Sequence, residues 1–178
     1  MTGSQKLPEE YAWLANEPAP RMLLEALRLY GTQEVVGEEN NPDILAWAEE
    51  CNIAGYNADS IPWCGLFMAI VARRSGKDMP DSPLWARSWA KWGTKSPSAQ
   101  LGDVLVFKRG SGGHVGLYVG EDSDCYHVLG GNQGDAVSIK RIVKSRCIAV
   151  RRQYKIGVPP NVRRVLLSAT GSISVNEA

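Results

Sequence analysis

The chain has no apolar run long enough to cross a membrane. The longest, Cys64 to Ala72, covers nine of the 178 residues, whereas a spanning helix needs about 20. Membrane insertion is therefore not expected. The first twenty residues lack a basic stretch leading into an apolar one, so no signal peptide and synthesis in the cytoplasm are expected. Histidine is scarce, with His114 and His127 alone, and the four cysteines (Cys51, Cys64, Cys125, Cys147) contain no C-x-x-C pair. Cys125, His127 and Cys147 would supply three metal ligands without a matching fourth, so neither a metal nor another cofactor is expected. Without an export signal a disulfide scaffold is a poor default, and free thiols usually serve as small buried hydrophobes. The question is whether one of the four is different.

What is present is the composition of a globular domain, 44% hydrophobic and 22% charged, at a length that suits one domain and not two. A monomer is expected. Net charge is only +1, but residues 1–63 carry eleven acidic and three basic side chains, and residues 136–176 carry nine basic and no acidic ones. No aromatic-rich nucleic-acid motif accompanies the basic stretch, so it reads as solvated strand edges and no nucleic-acid partner is expected.

The first half has helical spacing. Pro20 starts one helix, with Met22, Leu23, Leu27 and Tyr30 recurring before Gly31. Asn41-Pro42 caps and opens a second. A third begins near Pro62, with Trp63, Leu66, Phe67, Ile70 and Val71 on a stripe. A fourth is expected over about Leu84 to Trp92, with Trp85, Trp89 and Trp92 aligned. Beyond Pro97 the period becomes two, and five strands are expected: Val104–Phe107, His114–Val119, Cys125–Leu129, Ala136–Ile142 and Cys147–Arg151. Helices followed by a strand meander indicate an α+β domain over 21–156, with extensions at 1–20 and 157–178.

Cys64 falls in the first turn of the third helix, where unpaired N–H groups and the positive end of the dipole favour a thiolate. The same amides could hold an oxyanion. His114 opens a strand after a glycine-rich loop, on the face it shares with Gly116 and Tyr118. An imidazole beside a thiol is the pairing that activates cysteine nucleophiles. A third group should orient the ring. If Glu121 to Asp124 form a hairpin loop, paired residue numbers sum to 245 and position 131 lies opposite His114. Asn132 is then close, and a bulge at Gly130-Gly131 would turn it inward. His127 has the right face but sits four residues further along, so Asn132 is favoured and His127 stays the alternative.

Four segments together carry a resemblance: Pro62-Trp63-Cys64-Gly65-Leu66-Phe67, Leu101-Gly102-Asp103-Val104-Leu105-Val106-Phe107, Gly113-His114-Val115-Gly116-Leu117-Tyr118-Val119-Gly120 and Val128-Leu129-Gly130-Gly131-Asn132-Gln133. In this order they resemble the CHAP and NlpC-type cell-wall cysteine hydrolases, above all a CHAP-like group of phages and prophages. The resemblance implies a papain-like fold, with the nucleophile at a helix N-terminus packed on a five-stranded, barrel-like antiparallel sheet. It also implies hydrolysis of an amide in peptidoglycan, in a stem peptide or at a muramoyl peptide, with Cys64 as nucleophile, His114 as base and Asn132 in the polar third position. The chain departs from NlpC-type members at Trp63, where they carry Asp, and from many CHAP enzymes at Gly130, where they carry Glu. Trp63, Trp89, Gln133 and Asp59 are candidates to touch substrate. An endolysin released by a holin is the leading expectation. A secreted or injected thiol-hydrolase toxin and a non-catalytic cell-wall-binding virion module are the rivals.

Overall fold

A computed structural model of the chain describes residues 5–177. Three α-helices precede a six-stranded antiparallel sheet. Helix α1 (Arg21–Arg28) starts after Pro20, and α2 (Pro42–Glu50) is capped by Asn41, whose side chain accepts from the Asp43 N–H. Helix α3 (Cys64–Arg74) follows Trp63. The expected fourth helix is a shorter 3₁₀ segment, Ala86–Lys91, and another 3₁₀ segment, Glu9–Asn16, lies within the expected N-terminal extension. It delivers Tyr11 and Leu14 to the core.

The spacing in α3 predicts one buried stripe. Every residue from Cys64 to Ala72 is buried instead, because α1 and α2 pack on it from one side and the sheet from the other. An all-apolar helix is stable only in such a central place. Close approach is built into its first turn. A Cβ on Gly65 would stand 2.3 Å from the Pro83 carbonyl oxygen, and one on Gly131 would stand 2.5 Å from Phe67 Cβ. Glycine lets the 83–84 segment and the turn after the fourth strand press against α3.

The strands are β1 (Thr94–Lys95), β2 (Val104–Arg109), β3 (Gly112–Glu121), β4 (Cys125–Gly130), β5 (Ser138–Val143) and β6 (Cys147–Arg152), in the order β1-β6-β2-β3-β4-β5. All five expected strands are present to within a few residues. The sixth, β1, has only two residues paired with β6, too short for period-two patterning to reveal. The sheet is not closed into a barrel, which corrects the five-stranded, barrel-like expectation: β1 and β5 are its two edges. Residues after 156 run back over the sheet, where Leu166 bridges Glu121 and Ile173 bridges Arg141. Among the described residues no helix is long and apolar enough to cross a membrane.

Candidate active site

Cys64 is the first residue of α3 and is almost wholly buried. Its sulfur meets the N–H of Val115, the residue after His114, as well as the N–H of Gly65 and its own. Burial pushes the thiol up, and these amides and the Arg109 charge oppose that rise. The sequence thus brings the cysteine to the strand carrying the histidine through two separate devices. Pro62 and Trp63 hold the chain out of the helix until Cys64, and the hairpin between β2 and β3 sets the height of His114.

His114 pairs across the ladder with Phe107 and is completely buried. Its Nε2 lies 2.8 Å from Gln133 Oε1. The orientation of that amide is fixed by its other end, because Gln133 Nε2 donates to the carbonyls of Val128 at 3.0 Å and Ser138 at 2.8 Å. Two carbonyl acceptors require the NH₂ group, so the oxygen faces the ring. Nε2 therefore carries the proton and donates, which leaves Nδ1 as the basic nitrogen. Nδ1 is buried and has no hydrogen-bond partner. Burial pulls the His114 pKa down to about 4, with the Gln133 contact and the Glu177 carboxylate acting against it. At neutral pH the ring is a free base.

Gln133, placed among substrate contacts by the sequence reading, thus supports the imidazole. Asn132 does not. The hairpin register is the reason: Leu117 pairs with Leu129 and Gly120 with His127, so the paired numbers sum to 246 and 247, with an irregularity between Tyr118 and Gly120. Strand β4 ends at Gly130, and the chain turns through Asn132 at φ 56°, which presents Gln133 to the ring. The period-two pattern is visible in the sequence, but the bulge is not.

His127 lies beyond reach of the site. It faces Gly120, six residues along β3 from His114, about 20 Å at strand rise. Its Nε2 donates to Asp122 Oδ2 at 2.8 Å, and its Nδ1 accepts from the Tyr11 hydroxyl at 2.6 Å. Arg141 also binds Asp122 and holds that carboxyl well below its ordinary range. With both nitrogens engaged, His127 ties the N-terminal 3₁₀ segment to the sheet. Among the described residues, no three His, Cys, Asp or Glu side chains are gathered to hold a metal.

The other substrate candidates are structural. Trp63 and Trp89 are fully buried, with their indole N–H groups donating to Glu34 and to the Pro83 carbonyl. Asp59 is buried and accepts from the N–H groups of Val35 and Asn41. The tryptophan that does face outward is Trp85, 75% exposed. It stands on a cleft of about 400 Å³ lined also by Pro62, Cys64, Arg87, Arg109 and Gly113. Arg87 Nε donates to the Gly112 carbonyl at 2.8 Å, fastening the wall of the cleft to the β2–β3 hairpin. A larger hollow of about 890 Å³, beside Cys51 and Arg73, does not reach Cys64.

Two further residues went unread in the sequence. Glu177 is fully buried, pairs with Arg146 at 2.7 Å and accepts from the Gly134 N–H through its carbonyl. Its charge reaches His114. Arg109 lines the cleft from the end of β2. Nothing in local patterning points to Glu177, because only the return of the C-terminal segment brings it there. Compared with family models, curated proteins and solved structures, the chain matches none of them.

Proposed function

We propose that the chain is a thiol-dependent hydrolase of an amide bond in peptidoglycan, with Cys64 as nucleophile, His114 as base and then acid, and Gln133 as the group that orients the imidazole. One observation carries the reading. The doubly anchored Gln133 amide fixes the His114 tautomer and leaves Nδ1 as a free base on the strand whose Val115 N–H meets the Cys64 sulfur.

The thiol is held up and the imidazole down, so the resting pair is neutral and proton transfer accompanies attack. The Cys64 proton passes to His114 Nδ1 as sulfur bonds to the carbonyl carbon. N–H groups at the start of α3 stabilise the oxyanion. His114 returns the proton to the departing amine, the C–N bond breaks, and a thioester remains. Water, giving its proton to His114, then releases the acid and the thiol. The motif resemblance to cell-wall cysteine hydrolases supports the substrate class, and an endolysin or injected enzyme is the setting in which it would act.

The deep burial of both groups favours, as a second reading, a non-catalytic module that keeps the fold. Digestion of purified peptidoglycan by the wild type and by Cys64→Ser, with mass spectrometry of the released muropeptides, separates the two. New termini formed by the wild type alone support the hydrolase. Binding without any new terminus supports the module.

A further inference from the structure

The Cys64 cleft contains a cation without a partner. Of the twelve arginines in the chain, ten hold a carboxylate or a carbonyl oxygen, from Arg21 on Glu25 to Arg164 on Glu121. Arg109 makes no such contact among the described residues, and its Nη1 is shut off from solvent with no acceptor. The side chain is only partly buried and lines the cleft with Cys64. Arg87 adds a second positive charge there, and no acidic side chain lines the cleft among the described residues. A guanidinium with one nitrogen withdrawn from water and no acceptor for it is stabilised by an anion that joins it.

We infer that Arg109 anchors a carboxylate-binding subsite in the Cys64 cleft, so that the acyl compounds taken there carry a carboxylate close to the bond under attack. The inference rests on the reading of Cys64 as a nucleophile. A planar guanidinium fits a carboxylate through two parallel hydrogen bonds, which a carboxamide cannot reproduce. The position of Arg109 favours this role. It ends β2, pairs with Gly112 across the hairpin, and so belongs to the same hairpin that carries His114. The exposed Trp85 supplies an apolar wall for the rest of the ligand.

The test uses the full chain and two alkylating agents that differ only in charge. With each, Cys64 gives its proton to His114 Nδ1 as the sulfur attacks the methylene carbon, an S–C bond forms and iodide leaves. Rates are measured at pH 8 and low salt with iodoacetate and iodoacetamide, and peptide mass mapping assigns the label among Cys51, Cys64, Cys125 and Cys147. In Arg109→Gln both rates should fall, because the sulfur loses a charge that favours its thiolate form, and the iodoacetate rate should fall about tenfold further than the iodoacetamide rate. An unchanged ratio at a reactive Cys64 overturns the subsite and leaves the nucleophile standing. So does an equal fall in both rates, which would mean that Arg109 serves the thiolate alone. If Cys64 reacts with iodoacetamide no faster than Cys147, the nucleophile reading falls and the subsite with it. Should Arg109→Gln not fold, protection of wild-type Cys64 from iodoacetamide by propionate, but not by propionamide, decides the matter, and equal protection overturns the inference.

Discussion

Gln133→Glu exchanges one NH₂ for one oxygen and tests the amide lock on His114. In the native chain that NH₂ donates to Val128 and Ser138, and the side chain is almost fully buried. An ionised carboxylate at this position would set an oxygen against two carbonyl oxygens, so the variant must fold with the carboxyl protonated and recover one of the two bonds. One lost bond to a buried group costs about 1–3 kcal/mol, and that is the deficit expected at pH 4. The folded-state pKa of the new carboxyl stands above its unfolded value. Its favourable contribution is therefore complete below the unfolded pKa and is lost as pH rises toward the folded one. The deficit should grow with pH, by up to about 1.4 kcal/mol per unit. Urea denaturation of wild type and variant at pH 4, 5.5 and 7 measures it. A variant as stable as wild type at pH 7 would refute the argument, since it would mean that the new carboxylate pairs with a protonated His114 and the two carbonyls do not set the orientation.

Cys64→Ser should abolish muropeptide release while circular dichroism stays native, and an equal loss on replacing Cys51, Cys125 or Cys147 by Ser would sink the assignment. Gln133→Ala should slow turnover by about ten- to a hundredfold through misorientation of the ring. Asn132→Ala should cost about 1 kcal/mol for its positive φ and much less activity, as comparison of the two rates will show. His114 lies at about 4 in the folded chain against about 6.5 unfolded. Its contribution is complete above the unfolded pKa and is lost as pH falls toward 4, about 3 kcal/mol in all. Between pH 7 and 4.5 the urea midpoint should therefore fall further in wild type than in His114→Gln. His127→Ala, which strips a partner from Tyr11 and Asp122, should lower thermal stability with kcat of the folded fraction unchanged, and a large loss of kcat would contradict its structural role.

Local signals suffice for the α+β order, the starts of α1, α2 and α3, and five of the six strands. Caps, prolines and the change of hydrophobic period all act over a few residues, so they are written in the chain. Cys64 and His114 are singled out in the same way, because a helix start and a glycine-flanked strand are local features. Register and the return of the chain are not. A single irregularity between Tyr118 and Gly120 moves the pairing and puts Gln133 at the imidazole where alternation favours Asn132. Burial of Trp63 and Trp89 on all sides cannot be told from a substrate platform by spacing, since core and platform ask for the same residues. The C-terminal segment places Glu177 near His114, and the β2–β3 hairpin leaves Arg109 unpaired beside Cys64. Such contacts join residues far apart in the chain, and no local pattern encodes which charges will meet and which will be left without a partner.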